Sequence, residues 1–450
     1  MSDERPRLGW SDLTGAKAGI WGLGREGAAS LRKLRALGVE PVLVDDNPQA
    51  GQEVVLATRD GGLDALARCE IVIKTPGISR YGPEADRLRA AGVILVGGLG
   101  LWLHEADRDR VVCVTGTKGK STTSSIAGHL LTGLGYEALV GGNFGAAPYD
   151  PQHAGKRDYW VIEVSSYTAT DLPVTPPVTA VTSLHPDHLP WHGSVERYYR
   201  DKLSATSQPG AELTVANGDS DLLRERTGLL APRVEWVSEA DDPGATWMDP
   251  LGLPGRHNRR NALIARRVLL ALGTAAADRA LVRDVTDDDV LRSAAAGYAG
   301  LPSRLATIGV ADGVRFIDDS LSTNVLPTLA ALDAFPGARI ALIVGGQDRG
   351  IDYAPLAAGV CGRQSATLVL TLPDSGPRIS AAFAAHAAGE GFAGVRDCLD
   401  LDSAVAAGFG WARPDGIVLL SPAAPSFGHF RDYRDRGDQF AAAMRSQAAG

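Results

Sequence analysis

Thr115-Gly116-Thr117-Lys118-Gly119-Lys120-Ser121 lies between a strand-like apolar run at 111–114 and a helical pattern at 121–134. A phosphate-binding loop needs this strand–turn–helix setting. Glycines let the backbone fold until its N–H groups face phosphate oxygens. In such a loop Gly116, Thr117, Lys118 and Gly119 surround the phosphates, and Lys120 reaches the β- and γ-phosphates. Ser121 offers its hydroxyl to Mg²⁺. One detail departs from the general pattern: Val114 stands five positions before Gly119, where a glycine is usual, so the first glycine is Gly116. The loop is a shortened form.

Working outward, strand-like runs alternate with helical patterns on both sides, which predicts parallel α/β sheets. A first segment, 1–104, has strand candidates at 17–21, 41–44 and 71–74. A second, 105–301, adds runs at 159–164 and 179–182, a Pro- and Gly-rich loop at 243–255 and a helix at 258–272. A third, 302–450, has apolar runs at 315–317, 339–344, 366–371 and 416–420. Three α/β units in series also suit a length of 450 residues.

Composition narrows the classes. The chain has 45 basic and 53 acidic residues, a net charge of −8, which argues against a dedicated nucleic-acid binder. Its four cysteines have no metal-ligand spacing and read as free thiols of a reducing compartment. The first ten residues are polar, unlike a signal peptide. No apolar run reaches the ~18 residues of a membrane span. A soluble, cytoplasmic protein, expected as a monomer and with no membrane partner, is the reading.

Other motifs carry chemistry of their own. Gly22, Gly24 and Gly27 form G-x-G-x-x-G after a strand, and Asp45 ends the next strand. This fits a dinucleotide, another nucleotide diphosphate, or tight packing alone. Glu163 ends an apolar strand, where it can bind Mg²⁺ or face water. His185, His188 and His192 lie in a proline-interrupted stretch without H-E-x-x-H, so a hard-metal site using one histidine fits better than zinc. Asn258 and Asn261, three apart at a helix start, share a face; Asn258 can be an N-cap, and Asn261 can read an adenine edge. Asp318-Asp319-Ser320-Leu321-Ser322-Thr323-Asn324 is a strand end that can bind ribose, phosphate or carboxylate, or merely start a helix. Arg349 is either a carboxylate clamp or a solvated surface residue.

The order of these motifs resembles the Mur ligase superfamily along essentially the whole chain. TGTKGKS is followed by GGNFG (141–145), E-x-S-S with Ser165, D-H-L-x-x-H, Lys202, HNRRNA, LPSR with Arg304, DDSLSTN, GGQDR and SPAAPSF. The N-terminal GLGREG, Thr75-Pro76-Gly77 and SPAAPSF are similar to the type that adds glutamate to UDP-N-acetylmuramoyl-L-alanine in peptidoglycan precursor synthesis. The resemblance implies a three-domain fold: a Rossmann-like UDP-sugar domain (1–104), a central P-loop ATPase (105–301) and a Rossmann-like amino-acid domain (302–450). It implies that Gly22, Gly24, Asp45, Gly77, Asn143 and Ser165 serve the sugar nucleotide. Asn258, Asn261, Arg304 and Asp319 would contact ATP. Ser121, Glu163 and His188 would bind one or two Mg²⁺ ions. Lys202 matches a lysine that is carbamylated in this family.

The implied reaction activates a carboxylate as an acyl phosphate with ATP, and the amine of glutamate then attacks. Lys120, His188 and Lys202 would be the catalytic groups. By the resemblance, Leu321, Thr323, Arg349, Ser426 and Tyr433 would fall in the amino-acid pocket. There the usual D-S-K-x-T-N lysine is replaced by Leu321, and the usual lysine after the G-G turn by Arg349. One branch of the family adds L-glutamate and relies on a separate epimerase. These replacements favour that branch over the D-glutamate one. An NAD(P)-dependent oxidoreductase would explain GLGREG but leave TGTKGKS without a role.

Overall fold

Three sheets organise the chain, and their central strands are runs of apolar residues buried along their length. The computed structural model describes residues 5–47 and 56–448. The first sheet holds β1 (Ala18–Trp21), β2 (Val42–Val44), β3 (Ile71–Lys74) and β4 (Ile94–Val96), in the order β2-β1-β3-β4 with parallel neighbours. Every residue of β1 and β3 is buried, as expected for parallel strands covered on both faces. The helix Arg25–Ala36 packs Ala29 and Leu34 into the core around Ile20, Ile73 and Trp10.

The second sheet contains β5 (Val111–Thr115), β6 (Ala138–Gly142), β7 (Tyr159–Glu163), β8 (Val178–Val181), β9 (Leu213–Asn217) and β10 (Arg233–Val237). Its order is β10-β9-β8-β5-β7-β6, all parallel. β5 is therefore interior, flanked by β7 and β8. Chain leaving the carboxyl end of β5 emerges between the ends of its two neighbours, where open α/β sheets bind ligands.

The third sheet contains β11 (Ala306–Ala311), β12 (Val314–Asp318), β13 (Ile340–Gly346), β14 (Thr367–Asp374), β15 (Phe392–Asp397) and β16 (Ile417–Leu420), in the order β11-β12-β16-β13-β14-β15. β11 pairs antiparallel with β12; the other pairs are parallel. Apolar residues of β13 and β16 pack on both faces of this sheet.

The chain forms two compact units. One is Met1–Pro250 with Arg260–Tyr298 and carries the first two sheets; the other is Leu251–Arg259 with Ala299–Gly450 and carries the third. Inside the first unit, a buried ion pair of 2.5 Å joins Lys74, at the end of β3, to Asp171 beyond β7. Arg32 and Asp150 make a second link between the sheets. Among the described residues, no helix is long and apolar enough to cross a membrane.

The expected strand runs are present in all three sheets. β4, β6, β9, β10, β11 and β15 add to them. The helix expected from 258 begins at Arg256, so Asn258 lies in its first turn and is not an N-cap.

Candidate functional site

The loop after β5 turns on two glycines that no other residue could replace. Gly116 has φ +139°, and a Cβ there would lie 2.2 Å from Thr182 Oγ1. Gly119 has φ +88° and precedes the helix Lys120–Gly133; its Cβ would meet Asn261 Oδ1 at 2.8 Å. The loop is thus pressed onto the end of β8 on one side and onto Asn261 on the other. Thr117 is tied inward: its hydroxyl donates to the His185 carbonyl at 3.0 Å and lies 2.8 Å from Tyr198 Oη. The Thr117 and Lys118 amides donate to Ser183. The second half of the loop and the helix start, Gly119–Ser121, present a helix N-terminus, a setting that favours anions. Lys120 Nζ is held at 3.3 Å from the Thr117 carbonyl oxygen, and the Ser121 side chain is buried.

Glu163 ends β7, in register with Val114 of β5. Its side chain is 1% exposed. Asn143 Nδ2 donates to Oε1 at 2.7 Å, while Oε2 is buried without a hydrogen-bond partner. A buried carboxylate oxygen with no donor is costly unless a cation completes it, so this donor set fits Mg²⁺. Asn143, expected at the sugar nucleotide, donates its side-chain Nδ2 to Glu163, and its backbone carbonyl accepts from Arg25 at 2.6 Å. Ser165 caps the short helix Ser166–Ala169 by accepting from the Thr168 amide.

Lys202 closes the site from below. It is 2% exposed, on the helix Val195–Leu203, and its Nζ donates to the Gly116 carbonyl at 3.0 Å. Burial holds its basicity well below the ordinary lysine value; Lys120 and Lys118 add to the lowering, and Asp187 and Glu163 oppose it. Lys118, Lys120, Glu163 and Asp187 are thus all close enough to Lys202 to act on its charge. His188 is next to Asp187, with a left-handed backbone (φ 52°) and its ring 5.1 Å from that of Tyr167. Burial, then the lysines, lower its pKa against the pull of Asp187, which favours the neutral, metal-binding imidazole.

His192 has other work. His192 is buried, with Nδ1 2.7 Å from Asp201 and Nε2 3.0 Å from Ser166 Oγ, so a three-histidine metal cage is absent here. Among the described residues, no three His, Cys, Asp or Glu side chains form a ready cage. Magnesium commonly takes one or two protein ligands and completes its shell with phosphate and water, which suits this sparse set.

In the first sheet, Gly22, Gly24, Asp45, Thr75 and Ile78 line a cleft of about 400 Å³. A Cβ on Gly27 would lie 1.9 Å from the Gly22 carbonyl oxygen, so the third glycine is needed for packing. Gly24 faces open space. Asp45 accepts from the Leu23 amide and shapes the turn. Gly77 lies just beyond Thr75 on the same loop.

The second unit gathers its candidates at the carboxyl ends of β12, β13 and β16. Asp319 accepts from the Leu305 amide (3.2 Å), Ser322 Oγ (2.5 Å) and Ser421 Oγ (2.7 Å). Burial outweighs these donors and pushes its pKa up to about 7. Arg304 lies between Ser303 and Leu305, both at positive φ. Asn258 donates to the Pro254 carbonyl oxygen at 2.8 Å. The Gly345 and Gln347 amides donate to the Pro422 and Pro425 carbonyls, so the loop bearing Arg349 runs beside the one bearing Ser426. The Arg349 guanidinium lies over the exposed Phe427 ring. Leu321 and Thr323 are half-buried, Ser426 is buried, and Tyr433 begins the helix Tyr433–Ala448.

Sequence reasoning overlooked Arg436. It is fully buried, and its guanidinium donates to the carbonyls of Ser320 (2.7 Å) and Ala424 (3.2 Å), joining two of these loops. Nothing in its local sequence separates it from the exposed arginines beside it. Asp187 and Asp201 were missed as well, although each directly precedes a singled-out residue.

Comparison with known proteins completes the description. Residues 114–243 match the Mur ligase middle domain, and 303–424 match the Mur ligase, glutamate ligase domain. A protein of Micromonospora sp. is 39% identical, covering 97% of this chain and 98% of its own length; one from Salinispora tropica is 38% identical, covering 97% and 99%. One from Xanthomonas euvesicatoria is 37% identical, covering 96% and 95%. All three are named UDP-N-acetylmuramoyl-L-alanine–L-glutamate ligase. In fold the chain is similar to a UDP-N-acetylmuramate-alanine ligase of Thermotoga maritima (TM-score 0.56, 18% identity, covering 96% of this chain and all of that one). It is likewise similar to a MurF ligase of the same organism in complex with ADP (TM-score 0.56, 14% identity, both chains fully covered).

Proposed function

The chain belongs to the Mur ligase family, and from that premise we propose that it joins L-glutamate to UDP-N-acetylmuramoyl-L-alanine, converting ATP to ADP and phosphate. The observation that carries this reading is the near-complete overlap with relatives of that name, at 35–39% identity. The convergence of Lys120, Glu163 and Lys202 on one phosphate loop supports it. We assign the cleft beside Gly22, Gly24, Asp45 and Gly77 to the sugar nucleotide, the β5 loop to ATP, and the loops with Leu321, Thr323, Arg349, Ser426 and Tyr433 to glutamate.

The chemistry follows from charge. A carboxylate is a poor electrophile, so its oxygen first takes the γ-phosphoryl group of ATP and becomes an acyl phosphate. Lys120 and the amides of the helix start disperse charge on the phosphoryl oxygens as it transfers. The glutamate amine then attacks the acyl carbon, and phosphate leaves. Ser121, Glu163 and His188 would hold Mg²⁺, which supplies further neutralisation of phosphate charge. Burial depresses the basicity of Lys202, which favours the neutral amine that takes up CO₂, and a carbamate there would place negative charge near His188. Arg349 would clamp a glutamate carboxylate with its planar fork, in place of the lysine usual after the G-G turn.

The test is phosphate release from ATP with UDP-N-acetylmuramoyl-L-alanine and either L- or D-glutamate. Turnover with L-glutamate alone is expected. Turnover with D-glutamate alone would reverse the stereochemical assignment, and turnover with neither would remove the substrate assignment.

A further inference from the structure

The loop at residues 75–81 has two working faces. On one, Thr75 and Ile78 line the cleft under Gly22 and Gly24. On the other, the Gly77 carbonyl accepts from Trp191 Nε1 at 3.2 Å, and Tyr81 Oη donates to Asp201 Oδ1 at 2.7 Å. Trp191 sits in the turn Leu189–His192 that starts at His188. Asp201 directly precedes Lys202. The loop thus grips both segments that carry the groups assigned to the metal side, although it belongs to the first sheet and they belong to the second.

The connection is stiff. His192 ties Asp201 to Ser166, at 2.7 and 3.0 Å. Tyr167 stacks on Trp191 at 4.6 Å between ring centres and stands 5.1 Å from the His188 ring, while Tyr81 meets Trp191 edge-on at 5.7 Å. The loop is pinned at its root by Lys74, which donates to the Ile78 carbonyl at 3.2 Å and pairs with Asp171. Close-packed contacts of this kind transmit displacement because they have no slack.

We propose that residues 75–81 relay occupancy of the cleft to His188 and Lys202, with Tyr81 and Trp191 as the positioning residues. The inference rests on the assignment of the cleft to the sugar nucleotide and of His188 and Lys202 to the metal side. A ligand seated against Thr75 and Ile78 favours one loop position; through Gly77 and Tyr81 that position sets His188 and Lys202. Binding in the cleft and binding of Mg²⁺-nucleotide are then coupled, and by linkage the coupling is reciprocal.

The experiment is calorimetric titration of the full chain with Mg²⁺ and the non-hydrolysable ATP analogue AMPPNP, with and without saturating UDP-N-acetylmuramoyl-L-alanine. In the wild type, the sugar nucleotide should tighten Mg²⁺–AMPPNP binding about tenfold. In Tyr81→Phe/Trp191→Phe the coupling should fall below about twofold, while each ligand alone binds within about twofold of wild type. A merely structural role would weaken the separate affinities and spare the coupling. Tyr81→Phe alone keeps its ring contacts and should lose part of the coupling. Full coupling in the double variant, or two ligands bound without coupling in the wild type, overturns the relay. A wild type that binds neither ligand overturns the functional assignment, and the relay with it.

Discussion

Lys202 Nζ donates to the Gly116 carbonyl oxygen at 3.0 Å, which places a fully buried amine directly under the phosphate loop. Burial lowers its pKa in the folded chain, whereas the unfolded chain protonates it near the ordinary value of about 10.4. The unfolded state therefore binds more protons between the two values. Stability should rise with pH across that window, and the penalty should be fully present below the depressed folded pKa. Lys202→Met, compared with wild type by urea unfolding in bicarbonate-free buffer, should lose this rise. An unchanged profile would contradict the buried-charge account. With ¹³C-bicarbonate, wild type should give a carbamate carbon signal that the variant lacks.

Lys120→Ala should lower kcat about 10²–10³-fold, the loss typical of one preorganised donor to developing charge. Circular dichroism and thermal midpoint should stay near wild type, since the glycines that shape the loop are untouched. Undiminished turnover would remove Lys120 from the phosphate site.

Asn143 and Glu163 should act together. Asn143→Ala leaves Glu163 without its 2.7 Å amide donor, so the carboxylate is less firmly aimed. Half-saturating Mg²⁺ should rise about 10–100-fold, the usual effect of losing an outer partner of a metal ligand. Glu163→Gln should raise it further. Magnesium titration of phosphate release reads both, and unchanged requirements would move the metal elsewhere.

Asp319 predicts pH dependence of the opposite sign to Lys202. Its folded pKa of about 7 lies above the ordinary carboxyl value. Its contribution is fully present below about pH 4 and is lost as pH rises to about 7. Asp319→Asn should flatten the stability profile of the second unit between those limits. Equal slopes in both chains would show that Asp319 is ionised throughout.

Lys74 and Asp171 form a buried pair, 1% and 8% exposed. Lys74→Ala should destabilise the first unit by about 3–5 kcal/mol, because it strands the carboxylate. Lys74→Met/Asp171→Leu should recover most of that loss. A single variant as stable as wild type, by urea unfolding, would show the pair to be hydrated.

Most of the sheet interiors were legible from residues alone. β5, β13 and β16 are buried on both faces, so their sequences are unbroken apolar runs that stop where the loops begin. Of the strands that were not legible, β4, β6, β10, β11 and β15 lie at sheet edges, and β9 lies inside the second sheet. An edge strand such as Arg233–Val237 is half solvated and mixes charge with apolar residues, so it carries no run to read. Gly116 and Gly119 were legible as loop glycines because both take positive φ. Gly27 read as part of a ligand fingerprint or of tight packing, and a Cβ there, 1.9 Å from the Gly22 carbonyl oxygen, shows that packing requires it.

By itself the sequence determined the α/β class, the phosphate loop with its Lys120 and Ser121, the strand-end position of Glu163, and the Mur ligase resemblance. The loop and the strand end are local, depending on residue type and spacing within one turn or one strand; the class and the resemblance rest on the order of such local signals along the chain. Tertiary structure decided that Asn143 holds Glu163, that Lys202 is buried under Gly116, that His192 serves Asp201 and Ser166, and that Arg436 joins the loops after β12 and β16. Those are pairings between residues far apart in the chain. Burial and charge environment arise only when sheets pack, so no spacing rule can announce them.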